Sequence, residues 1–156
     1  FGRLDGILHN AGILGERVPL AQYPEEVWDD VMAVNLRAPF VLTQELLPLL
    51  QKSENASVVF ASSGVGREAR AEWGAYSVSK IAIEAVSQIF AKENTYPNIR
   101  YNCVNPGGTR TAMRAKAYPQ EDPKVLPTPE AIMPAYLYLM GDDSLHMNGQ
   151  SIDAQD

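Results

Sequence analysis

Apolar residues along this chain fall into short dense blocks separated by longer segments in which they recur every three or four positions. Four blocks are of the first kind: LDGILHNAG at 4–12, SVVFASS at 57–63, IRYNCVNPGG at 99–108 and QSIDA at 150–154. Each is short, carries Val, Ile or Leu, and is bounded by Gly, Asn or Pro, the pattern of a strand covered on both faces. The segments between them are helical. Pro24, Glu25 and Glu26 open one, with proline at an early helical position and acids near the positive end of the helix dipole. Together with LRAPFVLTQELLPLLQK it spans roughly residues 24–52, with an irregularity expected near Asn35 and Pro39 because proline removes a backbone donor. A third helix, about 75–93, places Ile81, Ala82, Ala85, Val86, Ile89 and Phe90 on one side at a 3.6-residue spacing. In a fourth, Thr128 can cap, Pro129 lies in the first turn and Gly141 falls just past the end. Strands alternating with crossover helices imply right-handed units and a parallel α/β sheet with sites at the carboxyl ends of its strands.

Composition narrows the class. A length of 156 residues and 46% hydrophobic content suit a single domain over 1–156. The net charge of −6 and scattered Lys and Arg argue against a nucleic-acid partner, whose phosphates draw on clustered cations. One cysteine, Cys103, allows no internal disulfide, and His9 and His146 lack the spacing of a zinc motif, so no metal is expected. No apolar run approaches the roughly 18 residues of a membrane span and no signal peptide opens the chain, so a cytoplasmic protein without a membrane partner is expected. The NAS at Asn55 is read as a turn rather than a glycosylation site.

Three catalytic patterns compete for residues 61–80, ASSGVGREARAEWGAYSVSK. GVGREA fits a dinucleotide fingerprint, but that motif requires its glycines to open directly into a helix, and here Gly74 precedes the helix instead. Ser77 and Lys80 fit the S-x-x-K of acyl-serine enzymes, whose accompanying S-D-N and K-T-G elements are absent. Tyr76 and Lys80, four positions apart, share one helix face, where a cation beside a phenol favours the phenolate and makes the tyrosine a usable proton donor and acceptor. Ser63, at the end of a predicted strand, can bond the same substrate oxygen and stabilise charge as hydride arrives.

With these residues the chain resembles the short-chain dehydrogenase/reductase family along nearly its whole length. NAG at 10–12, VNL at 34–36, SSGVG from Ser62, YSVSK from Tyr76 and NPGGTRT from Asn105 follow one another in the family's order. The resemblance implies a Rossmann-like, doubly wound parallel sheet, here its C-terminal part with about four strands and flanking helices. It implies Tyr76 as proton donor, Ser63 positioning the carbonyl, Lys80 binding the nicotinamide ribose and lowering the tyrosine pKa, and Asn35 holding a relay water. Asn10, Ala11 and Gly12 would border an NADP or NAD cofactor, Asn10 also stabilising the sheet. Pro106, Gly107 and Thr109 would follow the nicotinamide, with Thr111 on its carboxamide. His9 is expected to pack or bond structurally.

The family's glycine-rich turn, T-G-x-x-x-G-x-G, is expected before Phe1, so the chain reads as a piece lacking about the first third of a family domain. The closest resemblance is to the bacterial 3-oxoacyl carrier-protein reductase-like branch, which implies a small carbonyl or alcohol substrate, 3-oxoacyl compounds included, and a homodimer or homotetramer built through the two long helices. Arg110 and Arg114 could meet an anionic substrate group or be solvated surface residues. Residues 112–127 take the place of the family's substrate lid, and Trp73 borders either the pocket or a subunit contact. The competing reading is a non-catalytic binding or assembly domain that keeps the fold without the cofactor.

Overall fold

Backbone pairing in the computed structural model, which describes residues 2–155, joins the four apolar blocks into one sheet. Strands β1 (Gly6–His9), β2 (Ala56–Ala61), β3 (Ile99–Asn105) and β4 (Ser151–Asp153) lie in that order, all parallel. Each strand is shorter than its apolar block: residues 10–12, 62–63 and 106–108 leave the sheet as loops at its carboxyl edge. β2 is buried at every position. Its Ala56, Val58 and Phe60, with Ile99, Tyr101 and Cys103 of β3, pack against Leu50 of α2 (Ala38–Leu50) and Ile83 of α3 (Gly74–Glu93). Alternate residues Val59 and Val104 face Ile132, Tyr136 and Leu139 of α5 (Pro129–Met140). Helices therefore cover both faces of a parallel sheet, the doubly wound arrangement expected from the sequence. Among the described residues no helix is long and apolar enough to cross a membrane.

The irregularity expected near Asn35 and Pro39 is a π-helical segment, Ala33–Arg37, joining α1 (Glu25–Met32) to α2. Pro39 has no N–H to offer the Asn35 carbonyl four residues back, and its ring crowds that carbonyl. Widening the turn, with the Ala38 N–H reaching the Ala33 carbonyl, relieves both while the helix continues.

The apolar side expected of α3 is only partly the buried one: Val86 and Phe90 pack on the core, while other members face outward. Ile81 and Ile89 are 43% and 51% exposed, and the face against the sheet holds Tyr76, Lys80, Ile83 and Ser87, with Phe90 stacked on Tyr101 at 5.2 Å. The buried face was hidden because its first turns carry polar side chains. Thr128 occupies the cap position of α5, yet its side chain makes no cap bond, so Pro129 in the first turn is what marks this end. A short helix in the lid segment, α4 (Ala112–Ala117), was not foreseen; Thr111 caps it, accepting from the Arg114 N–H at 3.1 Å.

His9 ties β1 to α2. It is buried, stacks on Phe60 at 5.0 Å, and places Nε2 2.9 Å from Thr43 Oγ1. The one hydroxyl hydrogen of Thr43 goes to the Pro39 carbonyl at 2.8 Å, so the hydroxyl accepts from His9 and the ring proton lies on Nε2. Burial holds the His9 pKa down, from 6.5 to about 4. The unfolded chain then binds the proton first, so this stability is present above pH 6.5 and is lost as pH falls to about 4. The loss should reach about 3 kcal/mol, and thermal melts across this range should show a steeper acid slope for the parent than for His9→Gln. Parallel slopes would refute the coupling.

Candidate active site

The loops at the carboxyl ends of β1, β2 and β3 surround a cavity of about 600 Å³. Asn10, Ala11 and Gly12 line it after β1, Ser63 after β2, and Pro106, Gly107, Thr109 and Thr111 after β3, while α3 contributes Tyr76 and Lys80. Of the sequence-predicted site residues only Asn35 does not line the cavity, lying behind the first loop. Its Oδ1 accepts from the Ile13 N–H at 2.8 Å, and its Nδ2 donates to the Ile13 carbonyl at 2.9 Å and to Ser79 Oγ at 3.1 Å. Both amide hydrogens are spent, so the side chain clamps the loop rather than offering donors to a water. The Asn35 backbone carbonyl gets no α-helical donor from Pro39, which has no N–H. Among the described residues no hydrogen bond of the Asn10 side chain holds the sheet; the bonds of His9 and Asn35 anchor this end of β1.

Segment 61–80 forms one stapled unit. Gly64–Gly66 makes a 3₁₀ turn, not the mouth of a helix, and a Cβ on Gly66 would lie 2.9 Å from the backbone of Lys80. The Ser77 hydroxyl donates to the Val65 carbonyl at 2.6 Å, fixing the same turn to α3. Gly66 and Ser77, which suggested other enzymes, thus serve packing. Lys80 is 4% exposed, donates from Nζ to the Ala61 carbonyl at 2.7 Å, and lies 5.6 Å from the centre of the Tyr76 ring. Burial pulls its pKa from 10.5 to about 8.

The expected lowering of the tyrosine pKa by Lys80 is not found. Burial raises the Tyr76 pKa above its usual value, and the influence pulling it back is the hydrogen bond of Ser63. The ammonium is committed to a carbonyl and sits against the ring, so desolvation of the phenolate prevails.

Gln155 and Asn105, the first unsuspected from sequence, hold the loop after β3. Gln155 Nε2 donates to the carbonyls of Pro106 at 2.6 Å and Gly108 at 3.1 Å, while Asn105 Oδ1 accepts from the Gly107 N–H at 3.1 Å. Gly107 has φ +69, and a Cβ there would strike Gln155 at 2.8 Å, so only glycine suits the turn. No motif announces Gln155, because its partners are backbone carbonyls far away in sequence.

Beyond Tyr76 the wall is mostly apolar, Leu14, Trp73, Met113 and Ala117 with Ile132 and Met133, and Arg114 is the charged residue among them. Trp73 is buried, its ring covered by the Arg17 guanidinium at 4.3 Å, while Arg17 also donates to the Ala117 carbonyl at 3.0 Å. Arg110 and Arg114 are not solvated spares. Arg110 donates to the carbonyls of Pro123 at 2.8 Å and Leu126 at 3.0 Å, and Arg114 forms a two-pronged pair with Glu121 at 2.6 and 2.7 Å.

A family model described as short chain dehydrogenase matches residues 1–122. The chain belongs to that family. The uncharacterized oxidoreductase YciK of Escherichia coli (strain K12) is 57% identical over 155 residues, covering 99% of this chain and 61% of that protein. The 3-oxoacyl-[acyl-carrier-protein] reductase FabG of Thermotoga maritima is 34% identical over 160 residues, covering 97% of this chain and 65% of that protein. A solved short chain dehydrogenase from Escherichia coli CFT073, complexed with NADPH, superposes with a TM-score of 0.97 at 57% identity, over 100% of this chain and 65% of that one. The chain thus spans less than two thirds of the length of these short chain dehydrogenase relatives.

Burial of Lys80 has a pH signature in this family member. Its folded pKa of about 8 lies below the usual 10.5, so the unfolded chain holds the proton longer and stability rises with pH between these values. Relative to Lys80→Met, the parent should gain up to about 3 kcal/mol across that window. Chemical denaturation of both proteins from pH 7.5 to 10.5 measures the difference, and a constant gap would show that Lys80 is not buried as a cation.

Proposed function

We propose that this chain carries the catalytic part of an NADP(H)- or NAD(H)-dependent oxidoreductase that reduces a small carbonyl compound or oxidises the corresponding alcohol. The observation that carries the reading is the convergence of Ser63, Tyr76 and Lys80 on one cavity, next to the loop from Pro106 to Thr111. The cavity volume falls in the range of about 300–1,000 Å³ usual for small-molecule sites. Its floor fits a nicotinamide riboside: the Lys80 ammonium suits the ribose hydroxyls, the Pro106–Gly107 loop and Thr109 follow the ring, Thr111 suits the carboxamide, and Asn10, Ala11 and Gly12 border it. The NADPH held by the Escherichia coli CFT073 relative favours the phosphorylated cofactor. When bound, the dinucleotide supplies or accepts the hydride.

The chain's own residues handle the oxygen and its proton. The Ser63 hydroxyl orients the substrate oxygen, and Tyr76 donates a proton to it as negative charge develops. The Lys80 ammonium, held on the Ala61 carbonyl beside the Tyr76 ring, keeps the phenol in place under the cofactor ribose, and a water held on the Asn35 carbonyl connects this proton to solvent. The raised pKa of Tyr76 keeps the phenol protonated and ready to donate at neutral pH.

The substrate carries an apolar group against Leu14, Trp73 and Met113. A 3-oxoacyl chain meets that requirement, and the FabG relative points the same way. A carrier phosphate would find Arg110 and Arg114 already engaged. The outward apolar residues of the two long helices, among them Leu42, Ile81 and Ile89, suit a homodimer or homotetramer.

Tyr76→Phe in the intact protein should cut turnover by more than about a hundredfold, the scale of positioned acid catalysis, and leave NADPH affinity within about twofold by fluorescence titration. Turnover within tenfold of the parent would reject Tyr76 as the proton donor. For assembly, Ile81→Arg with Ile89→Arg should lower the mass seen by light scattering to that of a monomer; an unchanged mass would exclude this face.

A further inference from the structure

Arg67, a loop residue that the proposed reaction does not use, bonds β4 to α3 beside the site. It follows the Gly64–Gly66 turn whose packing on Lys80 fixes its starting point. Its Nη1 donates to both Asp153 oxygens at 2.8 Å, its Nη2 to Ser151 Oγ at 2.8 Å, and its Nε lies 3.6 Å from Glu84 Oε1. Each carboxylate leads back to the cavity. Glu84, one turn beyond Lys80 on α3, accepts from Ser62 Oγ at 2.6 Å and from Ser151 Oγ at 3.1 Å, and Ser62 adjoins Ser63. Asp153 Oδ1 accepts from Asn105 Nδ2 at 2.6 Å, and Asn105 Oδ1 in turn accepts the Gly107 N–H.

We propose that Arg67 is a positioning residue that sets the distance between the two walls of the cavity. One branch, through Glu84 and Ser62, holds the wall bearing Ser63. The other, through Asp153 and Asn105, holds the loop bearing Pro106 and Gly107. A guanidinium suits this task because its fork reaches three acceptors in fixed directions, and a lysine would supply the charge without the fork. Without it, Glu84 and Asp153 are left as like charges around Ser151, and both walls lose a shared anchor. An exposed ion pair with no such role would be lost with little effect. A misplacement of even about 1 Å between reacting groups costs on the order of a hundredfold in rate, so a partial loosening has a measurable catalytic cost.

The catalytic consequence rests on the oxidoreductase reading, whereas the structural one does not, and the two are tested separately. Amide hydrogen exchange on the intact protein, without cofactor or substrate, reads the second. In Arg67→Gln, exchange should quicken about tenfold in both 62–66 and 105–109 while the amides of β2 and β3 stay protected. Quickening confined to the turn around Arg67, or none, overturns the proposal. If Arg67→Gln loosens the entire sheet, Asp153→Ala decides, because it removes the acceptor shared by Arg67 and Asn105 while leaving Arg67 on Ser151 and beside Glu84: 105–109 should quicken without 62–66, and no local change overturns the proposal. In steady-state assays, Arg67→Gln should lower kcat roughly tenfold with substrate KM within twofold, and Arg67→Lys should recover part of the loss. A kcat equal to the parent's overturns the positioning role. A parent without turnover would instead sink the oxidoreductase reading and leave exchange to decide this one.

Discussion

The bond from the Lys80 ammonium to the Ala61 carbonyl is the constraint on which the rest of the site depends. A cation almost withdrawn from water is costly unless a strong acceptor meets it, and here that acceptor is the last carbonyl of β2. The bond fixes the depth and rotation of α3 against the sheet, and Tyr76, one turn earlier on the same face, is set in the cavity by the same rotation. It also explains Gly66: with the Lys80 backbone pressed against the turn after β2, no side chain fits there. Ser77 closes the arrangement by bonding Val65 in the same turn. One buried charge thereby accounts for a glycine, a serine and the placement of the phenol.

The same demand has shaped the opposite corner. The π turn forced by Pro39 inserts a residue into the path from α1 to α2 and brings Asn35 to face the loop after β1. There its amide pairs with both backbone groups of Ile13, a match that needs a side chain with one acceptor and two donors. The third contact, to Ser79, binds this clamp to α3 beside Lys80. The two strand ends that flank the cavity are therefore referred to one helix.

The sequence revealed the α/β alternation, the parallel sheet and the residues that line the cavity, because those signals are local: apolar blocks, a proline, a Tyr and a Lys four apart. It misread the buried face of α3, where tertiary bonds to Lys80, Ser77 and Ser79 outweigh hydrophobic periodicity. It assigned Lys80 an influence on the Tyr76 pKa that desolvation overrides, since burial cannot be read from spacing. Gln155, Arg17 and Arg67 were invisible as site residues because each acts on groups 17 or more residues away, which leave no pattern in the chain. Arg110 and Arg114 erred in the other direction, as charges that looked free and were spent on the loop they sit in.

The apolar stripe left outside on α3 follows from the polar one inside. A helix that must present Tyr76, Ser79 and Lys80 to the sheet gives up apolar positions on its inner face, and Ile81 and Ile89 stand outward instead. Monomeric proteins rarely leave contiguous apolar faces in water, so the chemistry of the inner face creates the surface that suits a second copy. In the proposed enzyme, the proposed assembly and the proposed catalysis share a cause: the helix that carries the phenol and its lysine inward is the one that turns Ile81 and Ile89 outward. A variant that relaxes α3 by burying Ile81 would have to rotate the helix, and the rotation would withdraw Tyr76 from the cavity.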